Sequence, residues 1–346
     1  MEQGQISATS TSTAGATTGA TNTITLQENS VLNLIAGGFQ NPPPNPLPPT
    51  LQNIQFSILA TGLNARNIIS DLTTGTAQGS IAGAIVALNQ GENIINNLRN
   101  TKVDGAIIAD GAGSKNTISF DAGTTFTSFI AALNGGTNDI TLNEGAKLEM
   151  TKTEPTENAS ILADAVGSTN TLKGTTKETN KINGAIVAKN GGANSIDLHD
   201  LQVTGDIKAI GDNSTNTITL EKGFLTNIIT RDSSTATNTI NLNGEASIKG
   251  HISNLIARNP ANQKNGVNTI LLNQHSTLNL DKGNNADDAA ILSINGENSI
   301  SGNSDGEHKI NGNIVAKEQG KNTITLDKLT MTGDITADGR LSLIHI

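Results

Sequence analysis

Reduced to apolar and polar positions, the chain repeats one five-residue pattern: Asn, a polar residue, Ile, a variable residue, Leu. It stands at Asn22-Thr-Ile-Thr-Leu26, Asn116-Thr-Ile-Ser-Phe120, Asn138-Asp-Ile-Thr-Leu142, Asn194-Ser-Ile-Asp-Leu198, Asn216-Thr-Ile-Thr-Leu220, Asn238-Thr-Ile-Asn-Leu242, Asn268-Thr-Ile-Leu-Leu272 and Asn322-Thr-Ile-Thr-Leu326. Residues two apart on a strand share a face, so Ile and Leu point one way and the residues between them the other. Asn is a turn residue and marks where each strand begins. A second strand pattern, Gly-x-Ile-x-Ala, lies between the copies: Gly83-Ala-Ile-Val-Ala87, Gly105-Ala-Ile-Ile-Ala109, Gly184-Ala-Ile-Val-Ala188, Gly205-Asp-Ile-Lys-Ala209, Gly312-Asn-Ile-Val-Ala316 and Gly333-Asp-Ile-Thr-Ala337.

The spacing turns these strands into a stack. Asn116 and Asn138 are 22 residues apart, and Asn194, Asn216 and Asn238 are again 22 and 22 apart. A fixed period of this size is the signature of a solenoid. Twenty-two residues hold two strands, room for a third and turns, which predicts an all-β parallel β-helix with three-sided coils. Such a coil buries its Ile and Leu only against its neighbours. The asparagines Asn22, Asn116, Asn138, Asn194, Asn216, Asn238, Asn268, Asn298 and Asn322 would then recur at one turn, where side-chain amides can form a ladder; tolerance of left-handed turn geometry is the other role open to them. Residues 170–210 align without a gap to 298–338, identical at 20 of 41 positions. Longer intervals of 32, 30 and 30 residues follow Asn138, Asn238 and Asn268 and predict side loops near 151–157, 259–265 and 284–288. The expectation is a single β-helical region over residues 1–340.

One segment breaks the pattern. Residues 40–49 hold six of the eight prolines, Pro42, Pro43, Pro44, Pro46, Pro48 and Pro49. Proline lacks the N–H that a ladder needs, so this is a side excursion, either a partner-binding loop or a tolerated insertion. The last six residues, 341–346, match the translation of a transposase sequencing adapter. They are read as a remnant that breaks the frame near residue 340 and makes the chain a fragment; a terminal strand is the other reading.

Composition sharpens the picture. There is no Trp, no Tyr and no Cys, with six Phe and 36 Gly, so the core is built from Ile, Leu, Val and Ala. The net charge of −9 and the lack of a Lys/Arg block speak against nucleic acid as a partner. No segment is long and apolar enough for a membrane-spanning helix.

A search for convergent chemistry finds none. His199, His251, His275 and His308 have no metal-ligand spacing and read as surface residues. Asp197, Asp200 and Asp206 read as solvated turn residues. Asp110-Gly-Ala-Gly-Ser-Lys115 lacks the spacing of a phosphate loop, and Gly191-Gly-Ala-Asn-Ser-Ile-Asp-Leu198 fails the calcium-binding nonapeptide at Ile196. The expectation is no enzyme, no cofactor and no metal.

The alternation of Asn-Thr-Ile-Thr-Leu with Gly-x-Ile-x-Ala, without cysteine, resembles the passenger region of bacterial autotransporters, in the style of the β-strand-repeat and vacuolating-cytotoxin-like surface proteins of Helicobacter and Campylobacter relatives. The resemblance covers residues 22–340. It implies a right-handed β-helical rod, secreted or held at the cell surface by an outer-membrane barrel in the missing C-terminal part. The function implied is a structural or adhesive passenger whose loops meet a host-cell surface, a matrix component or neighbouring bacterial cells. A fragment of a vacuolating-type toxin is the alternative, and a β-helical polysaccharide-active enzyme a weaker one.

Overall fold

The chain is all-β. A computed structural model describes residues 3–4, 6–9, 20–26, 32–34, 56–72, 78–154, 157–233, 235–255, 266–283, 288–338 and 343–345. It divides into two compact units, residues 1–181 and 182–346, each a parallel β-solenoid.

In the first unit a coil has three faces. Lys115–Phe120 forms the Asn face, Thr125–Phe126 a short middle face, and Ile130–Leu133 the Ile-Ala face. The next coil repeats them as Thr137–Leu142, Lys147–Met150 and Ala159–Asp164. Pairing is parallel and in register, Asn116 opposite Asn138, Ile118 opposite Ile140 and Phe120 opposite Leu142. Like therefore stacks on like. Ile69, Ile95, Ile118, Ile140 and Leu172 form one inward column, each fully or almost fully buried. Each such side chain contributes about 2 kcal/mol of burial, and no single coil could collect it alone. The 32-residue interval leaves this register intact, since Asn138 still stands opposite Asn170.

The second unit follows the same plan with one change. Ala193–Val203, Thr215–Leu225 and Thr237–Gly250 run through the Asn and middle faces as single long strands. Later coils separate them again, as in Glu297–Gly302 and His308–Asn311. Leu343–His345 pairs with Lys321–Thr325, with Ile344 opposite Asn322.

The glycine of Gly-x-Ile-x-Ala is required by packing. A Cβ on Gly105 would lie 1.9 Å from the Gly83 carbonyl oxygen, and one on Gly205 would lie 2.3 Å from the Gly184 carbonyl carbon. Successive coils touch backbone to backbone at this corner.

The Ile-Ala face of the first unit differs from that of two coils in the second. In the first, both sides of the strand are covered: all five residues of Ala84–Leu88 and all four of Ile107–Asp110 and Ile130–Leu133 are buried. In the second, Val187, Leu292 and Val315 are buried on the outer side as well, but burial alternates along Ile207–Ile210 and Ile228–Arg231, leaving Lys208 and Arg231 half-buried there.

Candidate functional site

The most ordered polar array in each unit is the asparagine ladder. In the first unit Asn22, Asn67, Asn93, Asn116 and Asn138 each donate Nδ2–H to the Oδ1 of the next, ending at Asn170, at 2.8–2.9 Å. In the second, Asn194, Asn216, Asn238, Asn268 and Asn298 do the same, ending at Asn322, at 2.8–2.9 Å. The amide has a second N–H, and it closes the corner within the coil: Asn116 donates to Ile108 O at 2.8 Å and Asn216 to Lys208 O at 2.7 Å. Both donors of a buried amide are thereby used, which satisfies groups that would be costly to leave unpaired. The nine asparagines read from sequence all stand in these two columns. Asn67, Asn93 and Asn170 join them; Asn67 and Asn93 are followed by Ile rather than Thr or Ser, which hid the pattern, and the spacing to Asn170 was the signal for the third.

Two turn designs alternate at the neighbouring corner. Asn134 and Gly135 take left-handed φ values of 50° and 85°, and Gly136 N–H closes the turn on Leu133 O at 2.9 Å. The next design carries a serine that links two coils. Ser114 Oγ donates to Asp110 O at 2.7 Å and accepts from Gln90 N–H at 3.0 Å. Ser168 bridges Asp164 and Gly135 in the same way, and Ser214 bridges Ile210 and Gly191. The segments that resemble a phosphate loop and a calcium nonapeptide are these corners.

The candidate ionisable residues do not converge, and among the described residues no three acidic or histidine side chains could hold a metal ion. Asp197 is exposed, Asp200 is buried with Lys222 Nζ at 4.0 Å, and Asp206 accepts from Asn227 Nδ2 at 2.8 Å. Burial would raise the Asp206 pKa, but Asn227 and Lys208 together hold it below the usual value. Asp200 is therefore not the solvated residue its sequence suggests. His199 lies 3.3 Å from Glu221, and His275 lies 2.7 Å from Asp305. His251 is half-buried and its pKa is pushed down by burial, with Asp206 opposing. His308 is fully buried, contrary to the expectation of a surface residue. A middle-face strand in a long side-loop coil turns it inward.

A shallow depression crosses three coils of the first unit. It is lined by Leu63, Asn64, Arg66, Gln90, Glu92, Ala112, Gly113 and Lys115, with Arg66 and Glu92 paired at 2.5 Å.

The side loops leave from defined corners. Residues 35–55, 151–158 and 282–288 each join a middle-face strand to an Ile-Ala strand; residues 256–266 join an Ile-Ala strand to an Asn-face strand. Pro42, Pro43, Pro44, Pro46, Pro48 and Pro49 lie outside the described residues, as do 259–265 and 284–287. Of the loop at 151–158, Glu154 N–H is bonded to Ala159 O at 2.7 Å and Lys152 Nζ to Asp104 O at 2.9 Å. Among the described residues no helix is long and apolar enough to cross a membrane.

No family model matches the chain, and no curated protein matches it. Among solved structures, a similarity is found to the crystal structure of the TibC-catalyzed hyper-glycosylated TibA55-350 fragment. It has a TM-score of 0.29 and 10% identity, over 92% of this chain and 99% of that one. A likeness at that level carries no functional argument.

Proposed function

We propose that the chain is the passenger region of a bacterial autotransporter, a structural or adhesive β-solenoid displayed at the cell surface or secreted. Its coils act as scaffold and its side loops as the contact elements. The observation that supports this reading is the register across the insertions. Asn138 pairs with Asn170 and Asn268 with Asn298 in line, although 32 and 30 residues separate them. A scaffold that absorbs loops without losing its ladder is suited to presenting variable contacts on a constant support. The partner would be a host-cell surface or matrix component, or a neighbouring bacterial cell, and an outer-membrane barrel encoded beyond this sequence would anchor it.

Binding of the purified chain to epithelial cells, to matrix proteins and to a glycan array, with and without residues 40–49 and 151–158, tests the reading. Deletion of the loops is expected to abolish binding while the circular-dichroism signature of the β-fold persists. Undiminished binding by the loopless chain would overturn the loop assignment, and vacuolation or polysaccharide cleavage by the intact chain would overturn the passenger role.

A further inference from the structure

The internal duplication places His308 of the second unit where the first has Asn180, 128 residues earlier. Both side chains do the same work. Asn180 Oδ1 accepts Leu148 N–H at 3.0 Å, and His308 Nδ1 accepts Leu278 N–H at 3.2 Å. Neighbouring polar residues are matched too: Thr176 Oγ1 donates to Ala146 O at 2.8 Å and Ser304 Oγ to Ser276 O at 2.6 Å. An amide oxygen accepts at every accessible pH. An imidazole nitrogen accepts only while it is unprotonated.

His308 is fully buried, and its Nε2 has no hydrogen-bond partner. With Nδ1 accepting, the proton of the neutral ring sits on Nε2. A second proton would have to go on Nδ1, turning that atom into a donor facing the Leu278 donor. We propose that His308 is an acid-sensitive latch on the middle face of the second unit, whose protonation releases strand His308–Asn311 from strand Thr277–Asp281.

The titratable and charged groups on the strands and turns packed around it are His275, Asp281 and Lys282 before it, Asp305, Glu307 and Lys309 beside it, and Asp327 and Lys328 after it, all exposed. Burial lowers the His308 pKa and the Asp327 charge opposes this without cancelling it. The sign follows. Folded and unfolded chains are both neutral here above the ordinary imidazole value of about 6.5; below it the unfolded chain binds the proton first, so stability falls as pH falls.

Hydrogen exchange of the full chain at about pH 7.5 and about pH 5.5, values that straddle the ordinary imidazole pKa, tests this after correction for intrinsic rates. Peptides over Thr277–Asp281 and His308–Asn311 are expected to lose protection on the order of tenfold at the lower pH, which lies about one pH unit below the ordinary imidazole value, while Lys147–Met150 holds. His308→Asn should abolish the loss, and His251→Gln should leave it unchanged. Equal loss in both units, or loss that survives His308→Asn, would overturn the latch. If that variant does not fold, imidazole nitrogen resonances of the wild type decide. The latch requires the Nε2–H tautomer of His308 and a titration below the ordinary imidazole value; an Nδ1–H tautomer or an ordinary titration refutes it.

Discussion

The two units share a coil plan, and the second departs from the first in how two of its coils use their Ile-Ala face. In the first, Val86, Ile108, Ala131 and Leu162 occupy the outer side of the strands and are buried along with the inner residues. In the second, Val187, Leu292 and Val315 are buried in the same way, whereas Lys208, Ile229 and Arg231 occupy or flank the outer side and remain partly exposed. A strand covered on both sides reads as a continuous apolar run, as in Ala84-Ile-Val-Ala-Leu88, whereas one covered on a single side alternates, as in Ile207-Lys-Ala-Ile210. The same backbone therefore carries a second apolar layer over most coils and a solvated surface over those of Lys208 and Ile229. Repetition of a fold does not imply repetition of its outer chemistry.

The sharpest way to break the comparison is a charge on the outer column. Ile108→Lys should destabilise the first unit by about 3–5 kcal/mol, because a buried ammonium would have no partner. Ile229→Lys in the second unit should cost less than about 1 kcal/mol. Thermal unfolding combined with exchange read unit by unit checks both; equal losses would dissolve the distinction.

The ladder should respond alike in the two units. Asn138→Ala and Asn216→Ala each leave a ladder acceptor and a strand carbonyl without their donor, at about 1–3 kcal/mol apiece. Unchanged unfolding midpoints would reduce the asparagines to turn formers.

The smallest effect is also specific to the covered face. Asp110 stands in an outer-side column between Leu88 and Leu133 and is buried, with Oδ2 unpartnered and Oδ1 accepting from Asn134 Nδ2 at 2.8 Å. Burial raises its pKa, opposed by the Asn134 hydrogen bond. Its ionised form is the disfavoured one, so the penalty is present at neutral pH and disappears as pH falls through the raised value. Asp110→Asn is expected to stabilise the first unit by about 1 kcal/mol at pH 7, with the gain vanishing in acid. A pH-independent gain would point to packing instead of charge.

Much of the scaffold was legible in the residues. Asn216-Thr-Ile-Thr-Leu220 states its own strand, its inward face and its turn, and the 22-residue spacing places the next copy on top of it. Asn67 and Asn93 escaped because Ile68 and Ile94 take the outward position filled elsewhere by Thr or Ser, so the phrase looked broken while the inward pattern was intact. The serine corners escaped for a different reason. Ser114 acts on Gln90 of the previous coil, 24 residues away, and no local pattern announces that pairing. His308 was invisible as a buried acceptor until the duplication with Asn180 was joined to a backbone N–H in another coil.

By itself the sequence determined the period and the inward columns, because a two-residue alternation repeated at a fixed interval leaves one face that can be buried and one way to stack it. Tertiary structure decided the rest: which outer surfaces are covered, which corners admit loops and which lone polar groups are shut away from water. Those outcomes depend on groups brought together from different coils, and desolvation, which sets the behaviour of Asp110 and His308, exists only once those coils are in place.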